Sequence, residues 1–247
     1  MKIAMMQPTF LPWQGYFELI HKSDVFIFLD DFQFSVQSYH QRNRLFIDKN
    51  RADWYTVPVN KKSSYKKQLN ETEINENGTW RKKMWKSIKQ NYLKTPFFDS
   101  ISPFIHEWLL SFHSSLAEQN ILFIEYVCRA IGLNNLIVRS SSTPSTKKRS
   151  DRVLELLREH KATTYYSAKG SFNYMFDEKV FPVPDIEVVF QDYDPKPYTQ
   201  YQSNTFIPYL SILDSLFNIG FEDTFKLIVN GTKKWIGWDD MASLRIV

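Results

Sequence analysis

The first forty-five residues constrain the fold more than any other part of the chain. Two apolar runs, Ile3-Ala4-Met5-Met6 and Val25-Phe26-Ile27-Phe28-Leu29, flank a two-proline turn and a short stretch where Tyr16, Leu19 and Ile20 recur at helical spacing. Apolar runs this short read as strands buried on both faces. Strand, helix and strand at this length predict a right-handed βαβ unit with parallel strands. Polar residues follow each run: Gln7 after the first, and Asp30-Asp31-Phe32-Gln33-Phe34 after the second. Open α/β sheets bind ligands beyond the carboxyl ends of their strands. The chain is therefore expected to build a site from its first residues.

Downstream, Trp54 to Val59 predicts a third strand, with Pro58 at an edge or end. Residues 68–75 suggest a short strand. Trp80, Met84, Ile88 and Tyr92 share one helical face, with Thr79 as N-cap. Helix is expected to continue through Pro103–Gln119 and 121–131. A strand is expected at 134–138, a helix at 150–160, strand ends at Tyr165-Tyr166-Ser167, and a strand at 186–190. An apolar helix at 206–218 is expected to close at Gly220. The last fifteen residues, with Trp235 and Trp238, either dock or fray. The fold class is α/β: a parallel or mostly parallel open sheet of Rossmann-like layout, one domain over 1–247, with a helical lobe inserted at 80–130.

Composition narrows the chemistry. With 7 glycines in 247 residues there is no G-x-G-x-x-G and no Walker A sequence. A net charge of +4 suits anionic ligands without the dense basic stripe of nucleic-acid binders, so no nucleic-acid partner is expected. The single cysteine, Cys128, permits neither an intrachain disulfide nor a paired-thiol metal site. His106 and His113 lie seven apart without a third ligand, so no metal and no cofactor are expected. No apolar run approaches the ~18–20 residues of a transmembrane segment, and no secretory leader is legible, which makes cytoplasmic the expected location.

Several groups carry chemistry. Asp30 and Asp31 end an apolar strand, where a carboxylate serves as base or sugar ligand; as neighbours on a strand they would face opposite ways. Arg42-Asn43-Arg44 offers two guanidinium forks and an amide for an anion, with Lys61 and Lys62 as helpers. His40 is a base within reach of neutral pH. Ser140-Ser141-Ser142 reads equally as an anion-holding loop or as a plain loop before a capping serine. Tyr166, Ser167, Gly170 and Tyr174 suit a sugar or aminoacyl pocket. Gln7 and Gln191 follow strand ends. Cys128 reads as a buried apolar residue.

The chain resembles the WbqC-like family of bacterial polysaccharide gene clusters. The resemblance rests on Met6-Gln7-Pro8 with Leu11-Pro12-Trp13-Gln14-Gly15-Tyr16, then Asp30-Asp31-Phe32-Gln33-Phe34 and Gln41-Arg42-Asn43-Arg44. It extends through Thr56-Val57-Pro58-Val59, Tyr166-Ser167, Phe190-Gln191-Asp192-Tyr193 and Ser211 to Gly220, nearly the whole chain. It adds Tyr16 and Gln33 to the expected substrate-binding residues. The N-terminal layout is also similar to nucleotidylyltransferases, but Gly15-Tyr16 stands where those have Gly-His, which counts against nucleotidyl transfer.

What the resemblance implies is a transferase of O-antigen or other surface-glycan biosynthesis. It would move an acyl or aminoacyl group, glycyl among the choices, from a carrier onto a nucleotide-linked or lipid-linked amino sugar. Arg42 and Arg44 would hold an anion, Asp30, Asp31 or His40 would take the amine proton, and Gln7, Asn43 and Gln191 would orient the acceptor. Two other readings stay open: a non-catalytic protein that binds or delivers a sugar intermediate, and an ATP-dependent acyl-activating enzyme.

Overall fold

The computed structural model describes residues 1–245 apart from 49, 61, 63, 114 and 202. Strand β1 (Lys2–Met6) passes through a proline-rich loop into helix α1 (Gln14–Lys22) and strand β2 (Val25–Phe28). An antiparallel hairpin follows, β3 (Arg42–Asp48) and β4 (Arg51–Thr56). Three helices come next: α2 (Trp80–Tyr92), α3 (Phe98–Leu110) and α4 (Leu116–Ala130). The α/β pattern then resumes with β5 (Leu136–Arg139), α5 (Arg149–Glu159), β6 (Thr164–Ala168), α6 (Phe172–Glu178) and β7 (Glu187–Tyr193). It closes with α7 (Ile212–Val229), β8 (Thr232–Gly237) and α8 (Trp238–Arg245).

The main sheet has the order β5-β2-β1-β6-β7-β8. Its first five strands run parallel, and β8 lies antiparallel on β7. Alternation along the strands divides the core in two. Ala4, Phe26 and Phe28 face α1, α2, α3, α4 and α7, whereas Ile3, Met5, Val25 and Ile27 face α5, α6 and α8. Strand order reverses between β1 and β6, which opens a crevice at their carboxyl ends.

Four expectations change. The strand expected at Trp54–Val59 forms as β4, but it pairs with β3 outside the main sheet. In β3, buried Asn43 and Leu45 alternate with half-buried Arg42 and Arg44, so a strand partner lies close in sequence and needs no crossover. Residues 68–75 hold a single 3-10 turn, Leu69–Glu71, flanked by isolated bridges at Gln68 and Ile74. The helix expected through Pro103–Gln119 breaks after Leu110 and restarts at Leu116, where Ser115 Oγ accepts the Glu118 amide. The helix expected at 206–218 begins at Ile212, and Gly220 (φ 77°) kinks it instead of ending it. A Cβ at Gly220 would lie 2.7 Å from the Phe97 ring, so space and backbone both call for glycine. The C-terminal tail docks as β8 and α8.

The loop between β1 and α1 positions everything described below. Pro8, Phe10, Leu11 and Pro12 are buried, yet the loop belongs to neither helix nor sheet. Its carbonyls therefore need other donors. Tyr16 Oη donates to Gln7 O (3.1 Å), and Asn120 Nδ2 donates to Pro8 O (3.0 Å) and His40 O (2.8 Å). Asn43 Nδ2 donates to both Phe10 O (3.2 Å) and Leu11 O (2.8 Å), while the Ile212 amide reaches Pro12 O (2.8 Å). Replacing Asn43 by Ala strands two buried carbonyls at once. We expect Asn43→Ala to cost about 2–4 kcal/mol in urea unfolding; a loss under about 1 kcal/mol would show that the loop is held by other means.

Candidate functional site

A cleft of about 570 Å³ opens where the strand order reverses. Gln7 at the end of β1 and Ser167 at the end of β6 meet there, with Gly170, Ser171 and Tyr174 on the following turn and helix. Phe32 and Tyr165 add aromatic surface, and Arg149 and Glu178 line it as well. Ser171 Oγ donates to Ala168 O (2.7 Å), which leaves its lone pairs for Ser167 Oγ, 2.6 Å away. Tyr165 Oη lies 3.3 Å from Ser167 Oγ, and burial pushes that phenol up to about 12, so it stays protonated. Glu178 accepts from Arg149 Nη1 (3.0 Å) and from the Ser150 amide (3.1 Å), at the first turn of α5. Arg149 sits at φ 54°, a strained region for an arginine, at the edge of this cleft.

A second, smaller hollow of about 300 Å³ adjoins the first, with Met6 and Thr9 lining both. Trp13, Tyr16, Tyr39, Asn43 and Tyr209 complete its wall. Trp13 packs between Tyr193 (ring centroids 4.9 Å) and Tyr209 (5.3 Å). Gly15 is what lets the Trp13 ring lie over the start of α1, since a Cβ there would come within 2.6 Å of it.

The remaining expected residues within the described part fall into five places. His40 forms a relay with Gln7. The Ser35 amide donates to His40 Nδ1 (3.2 Å), so the ring proton sits on Nε2 and is donated to Gln7 Oε1 (2.9 Å). Gln7 Nε2 in turn donates to Gln33 O (3.4 Å). Burial lowers His40 to about 4, and with both nitrogens engaged it orients Gln7.

Asp30, Asp31 and Ser141 form a clasp between the ends of β2 and β5. Asp30 accepts from Ser140 Oγ (3.2 Å), the Ser141 amide (3.0 Å) and Ser141 Oγ (2.6 Å). Asp31 accepts from Ser140 Oγ and lies 3.5 Å from buried Arg152. The expectation that the two aspartates face apart is corrected here: β2 ends at Phe28, they sit in the turn beyond it, and one serine touches both. The Ser140 and Ser141 hydroxyls are committed to these carboxylates.

Arg42 and Arg44 lie on the hairpin beside the small hollow. Tyr166 packs on Trp235 (4.8 Å), on the face of β6 opposite Ser167. Gln191 is buried against α1, donating to Gly15 O (3.0 Å) and Glu18 Oε2 (2.7 Å). Lys61 lies outside the described residues. Cys128 is buried, which pushes its thiol up to about 12. Among the described residues no group of three or more His, Cys, Asp or Glu is placed to hold a metal ion, and no helix is long and apolar enough to cross a membrane.

So Gln7, Ser167, Gly170 and Tyr174 converge on the large cleft, and Tyr16 and Asn43 on the small one. Sequence reasoning missed Arg149, Ser171 and Glu178 in the first, and Trp13, Tyr39 and Tyr209 in the second. Trp13 stood in a motif already noticed; Glu178 gave no signal, because only the folding of α6 beside α5 brings it in.

Because His40 is lowered from 6.5 to about 4, the unfolded chain takes up a proton first as pH falls. Its contribution is fully present above about pH 6.5 and is lost as pH drops toward about 4. The stability difference between wild type and His40→Asn should therefore shrink by about 3 kcal/mol across that window. A pH-independent difference in paired urea titrations would contradict the neutral, locked ring.

Comparison with known proteins agrees with this geometry in extent. A family model described as the WbqC-like protein family matches residues 7–225, a span that holds the relay, the clasp and all of the cleft and hollow residues named above except Met6. The uncharacterized protein Rv1507c of Mycobacterium tuberculosis is 32% identical over 225 residues, covering 90% of this chain and 95% of that one. No solved structure gives a significant match. The chain belongs to the WbqC-like protein family.

Proposed function

We propose that the protein transfers an acyl or aminoacyl group, glycyl among the choices, from a carrier ester or thioester to the amine of a nucleotide-linked or lipid-linked amino sugar in surface-glycan biosynthesis. One observation carries this reading: two concave sites share Met6 and Thr9, at and just beyond the carboxyl end of β1. A group-transfer reaction needs two substrates whose reacting atoms meet. Both volumes lie in or near the usual range of small-molecule sites, about 300–1,000 Å³.

The large cleft suits the acyl donor. Beside the paired Arg149 and Glu178, its polar groups are hydroxyls and an amide, which hydrogen-bond a carbonyl without demanding charge. The new bond joins the sugar nitrogen to the acyl carbon, and the bond from that carbon to the carrier oxygen or sulfur breaks. Glu178 is the carboxylate in the described lining, and it would take the amine proton and return it to the leaving group. Gln7, held by His40, would orient the acyl oxygen. Asp30 and Asp31, tied into their clasp, would support the cleft from beneath instead of acting as bases.

The same Glu178 favours the second reading. It is already engaged by Arg149 and the Ser150 amide, and the described lining holds no histidine or cysteine. That arrangement also suits a protein that binds a sugar intermediate and delivers it unchanged.

The deciding measurement pairs thermal unfolding with product analysis on the pure protein, over amino-sugar nucleotides, ATP and acyl or aminoacyl donors. We expect an amino-sugar nucleotide and a donor each to raise the unfolding midpoint, and N-acylated sugar to appear when both are present. Glu178→Gln and Ser167→Ala should lower that turnover at least 100-fold while both remain folded. Stabilisation by sugar without turnover on any donor would establish the delivery role, and stabilisation by ATP alone would point to acyl activation.

A further inference from the structure

We infer that the small aromatic hollow is the sugar subsite, and that Arg42 and Arg44 hold the diphosphate that joins the sugar to its carrier. This rests on the transferase reading above and assigns its acceptor half to a place.

The hollow has the chemistry of a neutral ring site. Every residue lining it is uncharged, and Trp13, Tyr16, Tyr39 and Tyr209 supply aromatic surface. Such faces pack against the C–H faces of a pyranose, while hydroxyl-bearing tips bond its oxygens. Two of its walls stay open to solvent: Tyr39 is 54% exposed and Tyr209 50%. Tyr209 also sits at φ 59°, a left-handed backbone that disfavours a bulky residue. Asparagine or glycine would relieve that strain, yet the ring is what stands over Trp13.

Next to the hollow lies an unpaired cationic face. Tyr39 contacts Trp54 (5.6 Å), and the Arg42 guanidinium stacks on Trp54 at 4.4 Å. Arg44 is directly opposite Trp54 in the hairpin register and shares its face with Arg42. The Arg44 carbonyl accepts from the Ser211 amide (2.9 Å), two residues past Tyr209. Both arginines are half-buried, and Arg42 Nε is buried without a partner. Among the described residues, neither meets a carboxylate. Guanidinium groups drawn out of water without a counter-charge are suited to a phosphate.

The order of parts fixes the orientation. Met6 and Thr9 line both concavities, so the part of a bound group nearest them is the part that meets the donor. Running outward, the hollow, the arginine face and solvent match sugar, diphosphate and carrier. A nucleoside and a polyprenyl chain both satisfy this order, because the shared chemistry is a hexosaminyl diphosphate.

The test is calorimetric titration of the full chain with UDP-glucosamine, with a short-chain polyprenyl diphosphoglucosamine, and with UDP alone. We expect at least one glucosamine-bearing probe to bind, the tighter of the two naming the carrier. Tyr39→Ala, Tyr209→Asn and Arg42→Ala should each weaken it at least tenfold. Tyr39 is surface-exposed and asparagine tolerates the Tyr209 backbone, so both variants should fold, as circular dichroism would check. Ser167→Ala, in the other cleft, should change Kd less than twofold. Weakening by Ser167→Ala but not by the tyrosine variants would put the sugar in the large cleft, overturning the inference while leaving the transferase reading intact. UDP binding as tightly as UDP-glucosamine, and losing affinity with Tyr39→Ala, would overturn it in favour of a base in the hollow. Failure of both glucosamine probes to bind wild type would overturn the inference and the acceptor half of the proposed function together.

Discussion

The site depends on how a buried, proline-rich loop satisfies its backbone. Prolines at 8 and 12 keep the segment out of helix and sheet, and burial keeps water from its carbonyls. The structure answers with side chains from distant elements: Tyr16 from α1, Asn43 from β3, Asn120 from α4, and a main-chain amide at the start of α7. Each donor comes from a different element. The loop is therefore the point where hairpin, helical layer and sheet are fastened together, and both concavities are defined by it. Asn120 carries this further, since it holds Pro8 and His40 at once and so fixes the relay that aims Gln7.

The distribution of charge follows from the same economy. Carboxylates drawn into the interior are spent on local donors: Asp30 and Asp31 on the serine turn and Arg152, and Asp214 on Tyr92, Tyr198 and Gln200. Burial raises Asp214, and its three hydrogen bonds work against that rise. Glu18 is raised in the same way, and Thr232 and Gln191 oppose it. These groups stitch elements together. What is left facing the concavities is mostly neutral, and half-buried Arg42 and Arg44 on the neighbouring hairpin meet no carboxylate among the described residues.

Much of the architecture was legible because its signals are local. Runs such as Ile3–Met6 and Val25–Phe28, and the spacing of Trp80, Met84, Ile88 and Tyr92, carry their own periodicity. Elements stabilised by remote contacts were not. Residues 68–75 alternate weakly and become a 3-10 turn, because their partners, Gln33 and Val59, offer single bridges and no ladder. The site shows the same division. Gln7, Ser167, Gly170 and Tyr174 follow strand ends, which is why they line the cleft at the carboxyl edge of the sheet. Gln191 follows one too, yet its side chain turns under α1, a choice made by the buried Glu18. Tyr209 and Glu178 come from segments far along the chain, and nothing near them in sequence marks the company they keep.

The last strand has a bearing on how the molecule behaves among its own copies. A parallel sheet ending at β7 would leave a seven-residue ladder open to any passing strand. β8 covers that ladder by running against it, and it presents exposed Lys233 and Lys234 on the new border. Paired borders of two such molecules would bring lysines together, and like charges resist that union. The opposite border, β5, is only four residues long and offers little to a strand seeking a partner. The two outermost strands thus work against edge-to-edge joining of sheets in a protein with exposed aromatic surface around its concavities.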